Sequence, residues 1–245
     1  MDPLTVAAAS GLRSRMESLS ILANNLANAT TTGYKNDKEF YGVFASEDAD
    51  NPSGSIQTLP TVERQWTDFS QGTLQNTGNA LDVALSGPGF FAVNGPGGTL
   101  YTRNGNFQTS STGLLTTSEG LPVRGEGGAP IQLSPDRAVE ITSSGAIHQG
   151  GRPVGQLEIV DFKSTASLEK AGGSNFRNTD TRNAPIAVND RQVRQGKLET
   201  SNVSVSESAM QLVGVMRQFE MLQKAVLMGV DMNAKAIQEV ARVNQ

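Results

Sequence analysis

A chain of 245 residues with a formal net charge of −4 can form one large or two modest domains, and its core is lean because only 37% of the residues are hydrophobic and 5% aromatic. The absence of cysteine excludes disulfides, thiolate metal sites and cysteine nucleophiles. Basic residues form no long tract and the negative charge lies in the middle of the chain, which argues against a nucleic-acid partner.

The N-terminal region carries an apolar stripe with alternating spacings of four and three, which predicts a helix with a heptad seam. The stripe consists of Thr5, Ala9, Leu12, Met16, Leu19, Ala23 and Leu26. Because Asp2 can cap free amides and Pro3 suits the first helical position, we expect the helix to begin there and to end near 30–32, before Gly33. From Leu12 to Leu26 it rises roughly 20 Å, which is long for so narrow a stripe to be buried in one small domain.

Three asparagines, Asn24, Asn25 and Asn28, lie in or beside this stripe. A polar residue in a helical seam costs stability and fixes register or partner number. Two interpretations stay open. The amides belong to ordinary helix surface or to a cap near the helix end, or they select the register between neighbouring helices by pairing with one another.

A second stripe with the same spacing runs through the C-terminal region and predicts a long terminal helix. Its members are Leu212, Val215, Phe219, Leu222, Val226, Gly229, Asn233, Ala236, Val240 and Val243. Ser204 and Glu207 have the spacing of a capping box, and no proline follows them as far as Gln245. Such stripes are commonly the inward faces of core helices. Since this seam recurs over several turns, we expect the two helices to meet each other and to meet neighbouring copies.

The middle of the chain predicts a linker followed by a β-rich body. Residues 46–58 are acidic and rich in Pro, Gly and Ser, which is typical of a linker or an exposed loop. Further on, short β-type runs alternate with turn signals, a pattern typical of a compact antiparallel all-β domain. The runs are 81–85, 90–93, 100–103, 106–109, 114–116, 131–133, 139–142 and 156–162. Asn104-Gly105, between two of these runs, is the strongest hairpin signal.

Few residues suggest chemistry. His148 is the only histidine, and its short run between Gly145 and Gly150 favours a solvent-facing strand position. Glycine clusters in the middle lack the Lys-Ser or Lys-Thr of a phosphate loop and are typical of turns. Scattered carboxylates leave a glycoside-hydrolysing pair open, yet nothing singles one out. We therefore expect no enzyme, with no catalytic, cofactor-binding or metal-binding residues.

Several short strings, in order and over nearly the whole chain, resemble one protein family. They are ANNLAN at 23–28, TGYK at 32–35, GTL at 72–74, TGN at 77–79, LDVAL at 81–85, GFFAV at 89–93, YTRNGNF at 101–107 and GKLETSNV at 196–203. Each alone is weak. Together they resemble the flagellar basal-body rod protein family, the axial proteins that form the rod and hook of the bacterial flagellum.

Within that family, MRQFEM at 216–221 and PVRGEGG at 122–128 resemble the proximal-rod branch most. The GFF string at 89–91 and the GKLETSNV string suit the distal-rod branch equally well, so both branches stay open with the proximal rod favoured. A hook protein is usually longer. Residues 164–188 depart most from either pattern.

The resemblance implies an α+β fold. Its N- and C-terminal helices pair as a coiled-coil-like helical domain, and a β-rich domain is inserted between them. Along the chain, residues 1–35 form the N-terminal helix of the tube domain, 36–72 a connecting segment, 73–200 the β-rich outer domain and 201–245 the C-terminal helix of the tube domain.

The resemblance also implies a structural subunit of the rod that assembles into a helical tube, transmits torque and encloses the export channel. The expected partners are other copies of the chain, other flagellar rod proteins and the flagellar export apparatus. Nucleic acid, small-molecule substrates and cofactors are not expected. The expected location is the periplasmic rod of the basal body, reached by type III export without a cleaved signal peptide.

Coupled folding and assembly is the mechanism these patterns suggest. Isolated helices with narrow stripes bury too little to offset the entropy of ordering, so we expect them to be frayed in the free subunit. Head-to-tail contacts that do not close into a ring would then build a helical filament. The predicted assembly interface consists of Leu12, Met16, Leu19, Asn24, Asn25, Leu26, Asn28, Leu212, Phe219, Leu222 and Val226.

Two other classes of protein stay open beside the rod and hook subunits. A secreted adhesin-like β scaffold would use its helices only to dimerise, and would form a fixed small oligomer with ordered helices. A carbohydrate-active enzyme would hold two carboxylates in a deep cleft of the β body.

Overall fold

The computed structural model describes residues 3–46, 57–188 and 192–243, and within them it contains two long helices and seventeen strands. The helices are α1 (Pro3–Ala27) and α2 (Val205–Val243). The strands are β1 (Asp37–Ser46), β2 (Gln57–Thr67), β3 (Leu74–Asn76), β4 (Val83–Leu85), β5 (Phe90–Gly95), β6 (Gly98–Thr102), β7 (Phe107–Thr109), β8 (Leu115–Thr117), β9 (Val139–Ile141), β10 (Ala146–Gln149), β11 (Arg152–Gln156), β12 (Ile159–Asp161), β13 (Leu168–Lys170), β14 (Asn175–Asn178), β15 (Ile186–Ala187), β16 (Val193–Gln195) and β17 (Lys197–Glu199). The predicted α+β class is confirmed. The coiled-coil-like form of the helix pairing stays a prediction.

The described residues divide into two compact units. Unit 1 holds residues 3–27, 37–46, 57–67 and 204–243, and unit 2 holds 28–36, 68–188 and 192–203. The chain passes from one unit to the other after Ala27, Asn36, Thr67 and Val203. The four segments predicted from the sequence, with boundaries at 35, 72 and 200, stay a prediction about domains.

Unit 1 consists of the two helices and one hairpin. Strands β1 and β2 pair antiparallel, from Asp37 opposite Thr67 to Ser46 opposite Gln57, and both strands contact α1. The helices α1 and α2 also contact each other. Of the acidic loop predicted at 46–58, residues 47–56 lie outside the described residues. Neither helix, over its described length, has an apolar stretch long enough to cross a membrane.

The ends of the helices follow their local sequence. Helix α1 begins at Pro3, as predicted, but ends at Ala27, because Asn28 closes a turn by accepting the Thr31 backbone amide at 3.1 Å. Threonine favours this turn since its hydroxyl competes for backbone hydrogen bonds and its branched side chain lowers helix propensity. At the start of α2, Ser204 Oγ accepts the amide of Glu207 at 3.4 Å, the predicted N-cap contact. The proposed cap at Asp2 lies outside the described residues.

Unit 2 is built around a six-stranded antiparallel sheet with the strand order β13-β14-β6-β5-β12-β15. Strand β5 has both faces buried, since its alternate side chains Phe90 and Phe91 belong to different apolar clusters. Each run predicted from the sequence overlaps at least one strand except 131–133, which adds only a bridge between Gln132 and Leu114. The predicted β-rich body is therefore confirmed, whereas β3 and β13 to β17 lie outside the predicted runs.

The hairpin predicted at Asn104-Gly105 is wrong. Strand β6 pairs with β5 and β14, whereas β7 pairs with β8, so the two strands beside the dipeptide do not pair with each other. Gly105 does not take a positive φ. A Cβ on Gly105 would overlap the carbonyl oxygen of Val83, so the glycine allows two backbone segments to approach closely.

Candidate functional site

The contact between α1 and α2 is the first part of the candidate site. A Cβ placed on Gly11 would lie 3.4 Å from Cδ1 of Leu222. Near the end of α1, Asn25 accepts the amide of Asp37, and the preceding Asn36 donates its amide to Asn202, just before α2 begins. The end of α1 thus lies near the start of α2, whereas Gly11 and Leu222 meet farther from these two ends. The two helices therefore run antiparallel.

The buried face of α1 lies one or two residues away from the predicted stripe. It consists of Gly11, Ser14, Ser18, Ile21 and Asn25, which repeat the spacing of three and four. Of the predicted residues, Leu12, Leu19 and Leu26 are half-buried, and Met16 is 60% exposed. In the single chain the predicted stripe is therefore not the buried face of α1, and its role as an interface between copies stays a prediction. Close helix contact selects small residues, which a search for large apolar side chains passes over.

On α2 the predicted stripe is the inward face of the helix from Leu212 to Gly229, whereas Asn233 is exposed. The side chains of its last members, Ala236, Val240 and Val243, lie outside those that the structure describes. Leu212, Phe219, Leu222 and Val226 are half-buried, and they lie on the same face as the buried Ser208 and Gly229. Where the contact is defined, the large Leu222 of α2 faces the small Gly11 of α1. Whether these residues also form an interface between copies stays a prediction.

The rest of the α2 surface exposes large apolar side chains. They are Val205, Met210, Val213, Met216, Met221, Leu227, Met228, Val230 and Met232. Met210, Met221 and Met232 are spaced by eleven residues, close to three turns of 3.6, so they lie almost in one line along the helix. Their exposed fractions are 70%, 61% and 69%. Soluble monomers rarely leave so much contiguous apolar surface in water, and such surfaces commonly mark interaction sites.

The asparagines near the end of α1 hydrogen-bond to nearby backbone and side chains. Asn25 is buried, where its Nδ2 donates to the Asp37 carbonyl at 2.8 Å and its Oδ1 accepts the Asp37 amide at 3.0 Å. Asn28 Oδ1 accepts from Thr31 Oγ1 at 3.2 Å. Asn24 is exposed. The contact of Asn28 fits the capping interpretation, whereas Asn25 ties α1 to the start of β1 and is neither helix surface nor a helix cap. A register role between copies stays a prediction.

Unit 2 contains a buried ionic group, here called the junction cluster, formed by Lys35, Arg103 and Glu199. Lys35 Nζ lies 2.5 Å from Glu199 Oε1, and Arg103 Nη1 lies 3.3 Å from Glu199 Oε2. The side chains of Lys35 and Glu199 are completely buried. The amide of Gly72 donates to the same Oε1 at 3.0 Å, and Lys35 Nζ donates to the Ser70 carbonyl at 2.7 Å. Both oxygens of the carboxylate are therefore occupied.

Burial dominates the electrostatics of this cluster. It lowers the pKa of Lys35 and of Arg103, because the interior disfavours their charged forms, and the attraction of Glu199 opposes the change in both. Two cations share one carboxylate. The Arg103 guanidinium also lies over the ring of Phe90, 5.3 Å from its centroid. The cluster is thus a costly arrangement that persists only with all its partners present.

Residues 32–36, here called the strap, are fixed along their length within unit 2. Thr32 Oγ1 donates to Asn104 Oδ1 at 3.0 Å, and Gly33 donates its amide to the Glu199 carbonyl at 2.8 Å. Gly33 takes a φ of 68°, and a Cβ there would overlap the backbone of Asn104. Only glycine fits this close approach.

The second half of the strap is held as firmly as the first. Lys170 Nζ lies 4.0 Å from the centroid of the Tyr34 ring and donates to the Lys35 carbonyl at 2.8 Å. The amide of Asn36 donates to Asn202 Oδ1 at 2.8 Å, and Asn202 Nδ2 donates to the Asp68 carbonyl at 2.8 Å. The sequence analysis missed this network. Lys35 and Glu199 are 164 residues apart, and no local pattern joins them.

The described residues bring together no group of three or more histidine, aspartate or glutamate side chains that could hold a metal ion. His148 lies in β10, half-buried and opposite Glu140 of β9. The candidate functional features described above are therefore the exposed apolar surface of α2 and the junction cluster.

Comparison with known proteins finds three family models along the chain. Residues 7–35 match the model described as flagella basal body rod protein, residues 84–149 the flagellar hook protein FlgE/F/G D1 domain, and residues 194–239 the flagellar basal body rod FlgEFG protein C-terminal. The first of these ranges includes most of α1 and Lys35, and the last includes Glu199 and most of α2.

Curated relatives are similar over nearly their whole length. The flagellar basal-body rod protein FlgF of Caulobacter vibrioides is 33% identical over 228 residues, covering 92% of this chain and 93% of the relative. FlgG of Buchnera aphidicola subsp. Schizaphis graminum is 31% identical over 240 residues, covering 88% and 91%. FlgG of Borreliella burgdorferi is 31% identical over 247 residues, covering 89% and 91%.

Proposed function

Since the chain belongs to the flagellar basal-body rod protein family, we propose that it is a structural subunit of the rod. In this role it assembles through its terminal helices into a helical tube that transmits torque and encloses the export channel. The proposal includes no catalysis. Family membership favours this class over the adhesin-like scaffold and the carbohydrate-active enzyme.

The observation that carries the proposal is the exposed apolar surface of α2. Nine large apolar side chains of this helix lie in water in the single chain. Fully burying a side chain of this size contributes about 1.5–3 kcal/mol. Contact with further helices would therefore reward assembly strongly, and a subunit without neighbours cannot obtain this burial.

Coupled folding and assembly follows from the same surface. In the free subunit the antiparallel pair buries little, so α1 and α2 are expected to fray while unit 2 stays folded. Neighbouring copies would order the helices by covering α2 and the remaining side chains of the predicted interface on α1. Circular dichroism of the free subunit and of assembled rods tests this: helix content should rise on assembly, and equal content in both states would contradict it.

The proximal rod is the favoured position, and the distal rod is the alternative. Support comes from the 33% identity to a FlgF protein beside 31% to FlgG proteins. The test is complementation in the source bacterium, since either position gives a swimming defect when it is vacant. The chain should restore swimming when its own gene is deleted. Electron microscopy of the deletion strain separates the two positions. Rods that end within the proximal segment support the proximal position, and rods with a complete proximal segment support the distal position.

Export through the flagellum's own channel is part of the proposal, as is the location in the periplasmic part of the basal body. The partners would be other copies, other rod proteins and the export apparatus. Mass spectrometry of the protein recovered from isolated basal bodies tests the route. An intact N-terminus is expected, and removal of an N-terminal peptide would contradict export without cleavage.

The inward stripe of α2 is tested by Leu222→Asp. A buried carboxylate on the inward face of α2 should prevent rod assembly in cells, because an unpaired charge is costly away from water. Gln223→Asp adds the same charge at the next, exposed position and should assemble. If Leu222→Asp rods form normally, the stripe is not the assembly interface.

A further inference from the structure

The junction cluster gathers segments that lead into the helices of unit 1. The strap continues from Asn36 into β1 and is preceded by α1, while Glu199 precedes α2 by only a few residues. Within unit 2 the strap and β17 lie side by side, joined by the Gly33 amide and by the Lys35 side chain. The places where the chain leaves unit 2 toward α1 and α2 are therefore tied together.

The helix pair itself contains little to select one register. The described buried face of α1 consists mostly of small or polar residues, with Ile21 as its large apolar side chain, and Gly11 on this face contacts Leu222 of α2. Register in helix pairs is usually specified by bulky side chains that fit particular holes. A slide of one heptad would place Ser18 where Gly11 had been, and these two positions offer nearly equivalent holes. Ile21 would move to the place of Ser14, so this face discriminates only weakly between registers and contacts elsewhere can strengthen the choice.

The junction cluster has the specificity that the helix seam lacks. Glu199 has both oxygens committed, Oε1 to Lys35 and Gly72 and Oε2 to Arg103. A strap displaced by one residue would leave the charge of Lys35 buried without its carboxylate. Removing one partner from a buried ion pair costs far more than the intact pair contributes to stability, and the best-attested use of such groups is to fix register.

We propose that Glu199 is a positioning residue that sets the register of α1 against α2 by holding the strap and β17 in one arrangement. The constraint reaches the helices through two short connections, from Lys35 back to Asn25 and from Glu199 forward to Ser208. The inference goes beyond the proposed function, because it concerns the single chain and holds whether or not the chain builds rods.

Cysteine pairs test the register directly, since the chain has no native cysteine. Gly11→Cys with Leu222→Cys reports the observed register. Gly11→Cys with Val215→Cys and Gly11→Cys with Gly229→Cys report slides of one heptad in either direction. Each full-length double variant is oxidised mildly, and mass spectrometry measures the yield of its intrachain disulfide. The three yields are then compared as a ratio. Oxidation traps transient pairings, so the ratio is readable even when free helices fray.

With Glu199 intact, the disulfide yield of Gly11→Cys/Leu222→Cys should exceed the yield of each other pair by roughly tenfold or more. A tenfold ratio corresponds to a preference of about 1.4 kcal/mol for the observed register. In Glu199→Gln, which keeps the shape but removes the charge, and in Lys35→Met/Glu199→Leu, which removes the ion pair, the ratio should fall several-fold. Glu158→Gln is the matched control. It breaks a half-buried ion pair with Arg124, 2.8 Å away in the same unit, and should leave the ratio unchanged.

A second variant keeps the cluster intact and loosens the connection. Insertion of Gly-Ser-Gly after Ala27 lengthens the path between α1 and the strap, and it should spread the disulfides as the Glu199 variants do while the melting temperature of unit 2 stays unchanged. If Glu199 only stabilises unit 2, a Glu199 variant that folds should keep the disulfide ratio of the wild type. A preserved ratio in the insertion variant overturns the proposal, and so does a preserved ratio in a Glu199 variant that folds. If no Glu199 variant folds, the insertion variant decides alone.

Discussion

Unit 2 and unit 1 treat their apolar side chains in opposite ways. In unit 2, Phe90 and Phe91 are buried on the two faces of one strand, and Phe91 packs edge-on against Phe107 with ring centroids 5.2 Å apart. In unit 1, α2 leaves its methionines in water and turns only one stripe toward α1. Unit 2 has the packing of a finished domain, whereas unit 1 has surface still to be covered.

The difference teaches that stability and assembly depend on different residues of one chain. Changes in the β body should alter the free energy of unfolding of the subunit. Changes on the outer surface of α2 should alter what the subunit can join. The following experiments try to break this separation, ordered by their expected effect on the stability of the free subunit.

Phe91→Ala should have the largest effect. Removing a buried phenylalanine costs about 3–5 kcal/mol, through lost burial and the cavity left behind. Denaturant unfolding of the full chain, followed by β-sheet circular dichroism, measures it. Ile186→Ala, at a half-exposed strand position of the same unit, is the control and should change the free energy of unfolding little. A small effect of Phe91→Ala would mean that unit 2 is not the stable part.

Lys35 should give unit 2 an alkaline pH dependence. Burial lowers its pKa below the ordinary 10.5, so the folded chain releases this proton at lower pH than the unfolded chain does. Between the lowered pKa and 10.5 the unfolded state binds more protons, and the contribution of Lys35 to the free energy of unfolding therefore rises with pH.

The measurement compares unfolding of the wild type and Lys35→Met across that range. The wild type should gain stability relative to Lys35→Met as the pH rises toward 10.5. The raised pKa of Tyr101 acts in the opposite direction, because its neutral form is favoured in the fold, but it is present in both proteins and cancels in the difference. A difference that does not change with pH would show that Lys35 is not buried as the structure has it.

Met221→Asp should change the free subunit by no more than about 0.5 kcal/mol, as surface substitutions usually do. Rod assembly should nevertheless fail, because the new charge would lie on a surface that neighbours cover. Gln223→Asp places a carboxylate at an exposed α2 position away from the methionine line and shows whether charge alone prevents assembly. Normal rods from Met221→Asp would remove the methionine line from the assembly surface.

The smallest effect is expected at an exposed ion pair of unit 2. Hydrogen bonds from Arg182 lower the pKa of Asp180 below 3.8, so the stability they add is present above that pH and is lost as the pH falls through the lowered pKa. In Arg182→Ala the Asp180 pKa should return toward 3.8 in an NMR titration, with no measurable change in melting temperature at neutral pH. A marked loss of stability in Arg182→Ala would contradict the small contribution expected of an exposed ion pair.

The success of sequence reasoning differed between the helices for a physical reason. On α2 the large residues Phe219 and Leu222 do face inward, so ranking positions by apolar size found the correct face. On α1 the same ranking chose Leu12 and Met16, whereas the buried positions beside them are Gly11 and Ser14. Periodicity gave the right spacing on both helices. It could not decide between two stripes of equal spacing when the partner helix supplied the bulk.

In unit 2 the sequence predicted most strands as far as β12, none of β13 to β17, and long-range contacts poorly. Runs such as 90–93 are visible because apolar residues cluster locally. Asn104-Gly105 misled the analysis because glycine serves a close backbone approach as readily as a tight turn. The pairing of Lys35 with Glu199 depends on tertiary structure alone, and it appeared in the sequence only as two unconnected family strings.

The line of Met210, Met221 and Met232 has a chemical consequence for a subunit that has not yet joined others. Thioether sulfur is oxidised readily to sulfoxide, which turns a flexible apolar side chain into a polar one. Peroxide would therefore reach three evenly spaced positions on an unjoined copy, and neighbours that cover the line would shield them. Oxidative damage should fall on the supply of new subunits and spare those already in place.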